Sequence, residues 1–361
     1  MINCRRAAMA LLLAPLAFSV PAVAERGYVA LWPNEIASFD TASNVLSHLA
    51  TVPFVPRAIR VAPGGAFVYA LQFDNSTPGS GNVRKINTST GVTDVVVSTP
   101  DAGAFLLTAD GSKIVLVTYQ NLSLTVIDTS TWAQHAIPLP TKPFSAAFDK
   151  HEKRLFVLGD DRVMVVDLSS ESVIATVPVG IEPNSVATSN AGNLLFVFHA
   201  QHAAAEVIGT TDFSVIGIIP VVGTVATIEP SDVRIYASEG LASFTSVVNV
   251  ATRTVLGPII YPGSSNTGPG TPVFSVDSGR MYVSQFFDRY IAIVDPTTNS
   301  VVGSIPTTGS PIGLAFAPRA APPDTGLVAV PALSPPTLAV LVLTCLVSGL
   351  ALLRRDRRED L

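Results

Sequence analysis

The chain has 361 residues, 48% of them hydrophobic and only 14% charged, with 25 Gly, 28 Pro and a formal net charge of −5. That sign argues against nucleic acid as the main partner, because binding a phosphate backbone needs a basic surface. The two cysteines, Cys4 and Cys345, both fall in terminal segments, so the region between them has no disulfides, thiolate metal sites or cysteine nucleophiles and is held by its core and sheet hydrogen bonds.

Residues 1–24 have the order of a secretory signal peptide. Arg5 and Arg6 form a basic start, Ala7 to Val20 an apolar stretch, and Ala22-Val23-Ala24 a small-residue cleavage site. The apolar stretch is shorter than the roughly 20 residues a membrane-spanning helix needs. Glu25 is therefore expected to open the mature protein, exported through the inner membrane.

From there to about residue 318 the chain repeats with a period near forty residues. A polar turn after an apolar run recurs at Asp40, Asn87, Asp128, Asp167, Gly209, Asn249 and Asp295, in steps of 39 to 47 residues. Two longer steps mark Gly/Ser/Pro-rich insertions, at Asp74 to Gly81 and Pro262 to Gly270. Gly- or Asp-rich turns such as Pro63-Gly64-Gly65, Asp110-Gly111 and Asn190-Ala191-Gly192 precede runs such as Lys113 to Val117 and Leu194 to Phe198, as hairpins of β-branched and aromatic strands require. Arg162 to Phe198 holds four such runs, with a repeat boundary at Gly180 to Pro183. Seven copies at this spacing predict a propeller or solenoid.

The unit resembles the YVTN repeat of surface-layer-type and lactonase-like β-propellers. Met281-Tyr282-Val283-Ser284, Ile291 to Asp295 and Val177-Pro178-Val179-Gly180 carry the likeness, and Gly209 makes the fifth copy the weakest. The resemblance implies an all-β, seven-bladed propeller of four-stranded antiparallel blades over 25–318. The last copy stops after its inner strand, Pro311 to Ala317, and the first begins at its second strand, Tyr28 to Trp32. Pairing those ends would close the ring and remove two bare sheet edges.

Residues 319–336 read as a Pro-rich linker. Val330, Pro331, Ala332, Leu333 and Ser334 precede an apolar run from Leu338 to Leu353, and Arg354, Arg355, Arg357 and Arg358 follow. The run is just long enough to cross the bilayer as one helix, with the arginines on its cytoplasmic side. Motif, span and arginines in this order resemble the IPTL-type C-terminal sorting signals of exported Gram-negative proteins. That resemblance implies a sorting transpeptidase as a partner, a membrane-held precursor, and delivery to the cell surface or outside it. Without the charges of both end segments the exported part is near −8.

In a propeller of this kind, the loops from outer to inner strands and from second to third strands ring one mouth of the channel. They place Arg57, Lys142, Glu182, Glu239, Asp288 and Arg289 on a candidate ligand-binding face. His199 and His202, in one loop, are candidate metal ligands if a neighbouring Glu182 or Glu239 completes the set. Asp160-Asp161 reads as a hairpin turn. Trp32, Phe54, Phe73, Phe286 and Phe287 are either an apolar rim or blade packing. No nucleophile elbow, His-Glu-x-x-His or phosphate-cradling loop is present, and no cofactor is indicated. These readings favour a non-enzymatic binding module for a protein, glycan or small ligand. The resemblance keeps open a lactonase-like hydrolase with its site over the channel, and the histidine pair a metal-binding propeller.

Overall fold

The computed structural model describes residues 25–317, apart from 74–79, 101, 119–120, 200–201, 264–267 and 276. The expected signal peptide, the sorting motif at 330–334, the apolar run and the arginines at 354–358 lie outside the described residues. Those residues form seven sheets of four antiparallel strands each. The sheets follow one another along the chain as blades of a propeller, six of them in simple up-and-down order. The other, blade 1, is built from both ends: Ser310–Phe316 is its inner strand, hydrogen-bonded to Arg26–Trp32, with Glu35–Asp40 and Leu46–Thr51 outside it. Closure by complementary ends is thus as the sequence predicts. The boundary inside Arg162 to Phe198 is also as expected. Arg162–Asp167 and Ser172–Pro178 end blade 4, and Pro183–Thr188 and Leu194–His199 begin blade 5.

Packing explains why the strands read as they do. The second and third strands of a blade are covered on both faces by neighbouring blades, so they carry unbroken apolar runs such as Ile114 to Val117 and Val163 to Val166. The outer strands alternate, as Ser172–Pro178 does, because one face meets water. The core is accordingly not one mass. Seven apolar clusters each straddle one junction between adjacent blades, for example Tyr236, Tyr261, Met281 and Val283 between blades 6 and 7.

The polar turns that set the repeat close the same way in most blades. A side-chain oxygen of Asp40, Asn87, Asp128 or Asp167 accepts from the backbone N–H groups two and three residues on, at 2.7 to 3.1 Å. Blade 5 moves the device: Gly209 has no side-chain acceptor, and Asp212 takes the N–H of Ser214 at 3.1 Å. The hydroxyls of Ser130, Ser169 and Thr297 on Asp128, Asp167 and Asp295, together with these backbone N–H groups and that of Thr297, and the backbone N–H groups of Ser43 and Ser214 on Asp40 and Asp212, hold the five carboxyls below the usual carboxylate range, Asp167 and Asp295 at about 2. A depressed folded value stabilises the fold above the unfolded pKa of about 3.9 and loses that contribution as pH falls through the folded one. The thermal midpoint is therefore expected to be insensitive to these groups between pH 7 and 5 and to drop between about pH 4 and 2. A drop centred well above pH 5 in a circular dichroism melt series would contradict this.

At the same end of the blades, away from the loop face, the turn from inner to second strand needs a left-handed residue. Glycine supplies it at Gly65, Gly111 and Gly192, but Glu152 (φ 52°) and Asp232 (φ 60°) stand there in blades 4 and 6. Each carboxylate reaches back to the preceding blade. Glu152 accepts from the Ala109 N–H at 2.9 Å, and Asp232 from the Asn190 N–H at 2.6 Å and from that of Ala191. Glu25 does the same for blade 1, taking the Ser275 hydroxyl of blade 7. An arginine just beyond reaches forward in two of these blades: Arg154 donates to Thr210 O at 3.3 Å, and Arg234 to Pro296 O. Blades 4 and 6 therefore each grip both neighbours. Asp232→Ala is expected to destabilise by about 2 kcal/mol, combining lost charge-assisted hydrogen bonds with a strained backbone. Asp232→Gly should lose only the first part. Equal urea midpoints for the two variants would refute the strain component.

Candidate functional site

The seven inner strands enclose a cavity of about 740 Å³, within the usual size of small-ligand pockets. Strand pairing sets its layers. Ala315, Arg60, Leu106, Ala147, Ala187, Thr227 and Val273 stand at one level, each opposite the repeat's aromatic position on the second strand: Tyr28, Tyr69, Val115, Phe156, Phe196, Tyr236 and Tyr282. Of these, Ala315, Arg60, Leu106, Thr227 and Val273 line the cavity, Arg60 being the longest, while Ala147 and Ala187 pack into the junctions between blades.

Arg57 and Arg60 are the only charged residues in the seven inner strands. Arg57 is exposed at the loop end and Arg60 lies half-buried, deeper in. The Arg60 guanidinium donates to Ile59 O at 2.8 Å and sits 5.8 Å above the Phe105 ring. Burial pulls its pKa down to about 10, so it remains charged at neutral pH. The other polar groups of the lining are Ser145, Ser185, Asn190, Thr227 and Thr271. Thr227 donates to Pro272 O at 2.6 Å, whereas the buried Ser185 hydroxyl has no partner. Guanidinium, hydroxyl and amide groups can hold and orient a polar ligand.

Lys142, Glu182, Glu239, Asp288 and Arg289 leave blades 4 to 7 at the same end as Arg57. Lys142, Glu182 and Arg289 are exposed, while Glu239 and Asp288 are half-buried. Glu182 and Arg289 have left-handed backbones (φ 55° each) at their turns. Glu182 approaches His202 at 4.0 Å. Trp32 and Phe287 are about half exposed at this end, and Phe286 packs edge-to-face on Phe287 at 5.1 Å.

The two histidines turn to different partners. His199 is 3% exposed, with Nδ1 3.0 Å from Ile181 O and Nε2 3.2 Å from Glu206 Oε1, and the same carboxylate oxygen accepts from the Gly180 N–H at 2.6 Å. This pair pins the hop between blades 4 and 5. His202 is exposed, and among the described residues no three His, Cys, Asp or Glu side chains converge. Asp161 pairs with the adjacent Arg162 at 2.6 Å in its hairpin turn. Neither Glu206 nor Arg60 stands out from sequence position alone. The signal that marks Arg60 is a charge at an inner-strand position where other copies have Ala, Leu, Thr or Val.

No protein-family profile and no curated protein matches the sequence. Solved structures do match in shape. A Lactobacillus plantarum protein superposes with a TM-score of 0.67 at 13% identity, over 81% of this chain and 99% of its own. A Bacteroides fragilis protein assigned as a candidate 6-phosphogluconolactonase gives 0.64 at 15% identity, over 82% and 99%. The hydrazine synthase of Kuenenia stuttgartiensis gives 0.61 at 14% identity, over 73% and 90%. Proteins named for such different chemistries share this shape, and at these identities the likeness establishes the β-propeller fold alone.

Proposed function

We propose that the chain is an exported β-propeller that acts as a non-enzymatic binding module, with its ligand entering the channel from the loop face. The observation that carries this reading is the channel wall. Its polar groups are two guanidiniums, hydroxyls and an amide, which bind ligands but do not exchange protons at neutral pH as a general base must. A lactonase-like hydrolase is the second reading, favoured by the shape shared with the Bacteroides protein. Incubation of the purified mature chain with γ- and δ-lactones separates them. Binding without turnover is expected. Turnover above the buffer rate that disappears in His199→Ala or Arg289→Met would establish the hydrolase. The terminal segments support delivery to the cell surface or beyond by a sorting transpeptidase acting near residues 330–334. Mass spectrometry of the protein from its native host is expected to find a C-terminus within or beside that motif, and a chain still ending at Leu361 would refute processing.

A further inference from the structure

An uncompensated charge in a hollow lined mainly by apolar and neutral groups is a question the fold leaves for a ligand. Taking a guanidinium out of water costs several kcal/mol unless it is paired. Among the described residues Arg60 is one of two cations in the cavity wall, and no carboxylate or histidine side chain lines that wall. Among the same residues one of its five N–H donors is engaged, on Ile59 O, and its face meets the Phe105 ring. The exported part as a whole is acidic, so no general basic surface draws anions and the channel arginines stand against a negative background.

We propose that the channel is a binding site for a small organic anion, a carboxylate or a phosphate or sulfate ester. Its charged end pairs with Arg60 in the two-pronged geometry a guanidinium offers. Its less polar body lies against the half-buried Leu106, with the exposed Arg57 at the entrance. This site deepens the binding-module reading and rests on it.

The test uses the full mature chain, titrated with inorganic phosphate and separately with hexanoate, with sodium chloride adjusted to constant ionic strength. Thermal midpoint and calorimetric heat are read for wild type, Arg60→Met and Lys113→Met, the last a surface lysine outside the channel. Wild type and Lys113→Met are expected to gain stability with at least one anion. Arg60→Met should lose the affinity by tenfold or more while being no less stable than wild type without added anion. A response to phosphate alone assigns the ester class, and one to hexanoate alone assigns carboxylates. No anion-specific response in wild type, or an undiminished one in Arg60→Met, overturns the proposal. So does an Arg60→Met chain that is destabilised or unfolded without anion, which would make Arg60 a structural strut. Lactone turnover is measured in parallel: turnover together with Arg60-dependent anion binding overturns only the non-enzymatic reading.

Discussion

A chain that stops at Thr308 is expected not to form the ring. It lacks Ser310–Phe316, the inner strand of blade 1, and with it six register pairs to Arg26–Trp32. Leu314 leaves the cluster between blades 7 and 1, and Ala315 the one between blades 1 and 2. The loss is on the order of 5 kcal/mol or more, as large as the whole stability of many domains. It also bares a sheet edge that invites association. Relative to a chain ending at Ala317, the shorter one should show no cooperative thermal transition and should sediment as aggregate. Adding a peptide of residues 309–317 should recover a transition. A shorter chain that melts at the same midpoint as the longer would mean that closure contributes nothing.

Tyr236→Ala is expected to have the next largest effect. Tyr236 is fully buried between blades 6 and 7, its ring 5.5 Å from that of Phe274 and its hydroxyl donating to Asn299 Oδ1 at 3.0 Å. Burial pushes its pKa up to about 12, so the group is a neutral donor throughout the physiological range. Removing the ring should cost about 3–5 kcal/mol through lost burial and a residual cavity. Tyr236→Phe keeps the ring and should cost about 1 kcal/mol, the net worth of one hydrogen bond. Guanidinium chloride unfolding reads both. Similar losses for the two variants would assign the energy to the hydroxyl instead of the packing.

The contrast between these residues and Arg60 shows what the sequence makes legible. Blade number and closure rest on turn chemistry and apolar periodicity, which are local and repeat seven times, so Asp40 to Asp295 report them even where Gly209 breaks the pattern. The loop-face charges are legible as a set, because any residue in those connections must lie at one end. Which of them meet is set by side-chain direction across blades, and the sequence carries no local trace of that. His199 illustrates it: its spacing from His202 suggests a shared ion, but strand pairing places His199 opposite Ala204 and sends its ring to Glu206 in the same blade. Arg60 sits in Val55–Val61, a run that reads as an ordinary buried strand. Only the level it shares with Leu106, Thr227 and Ala315 marks it as a cation in the cavity wall.

The grip of alternate blades has an arithmetic consequence. Blades 4 and 6 hold their neighbours on both sides, and blade 1, through Glu25, holds blade 7. Among the described residues these make five grips for seven seams: they fasten the ring from blade 3 round to blade 1 and leave both seams of blade 2 without one. Arg60 of blade 2 reaches over Phe105 of blade 3 at one of those two seams. An anion on Arg60 would sit beside a seam that the acid-and-arginine grips leave unsewn, so that filling the channel and fastening the ring become one event.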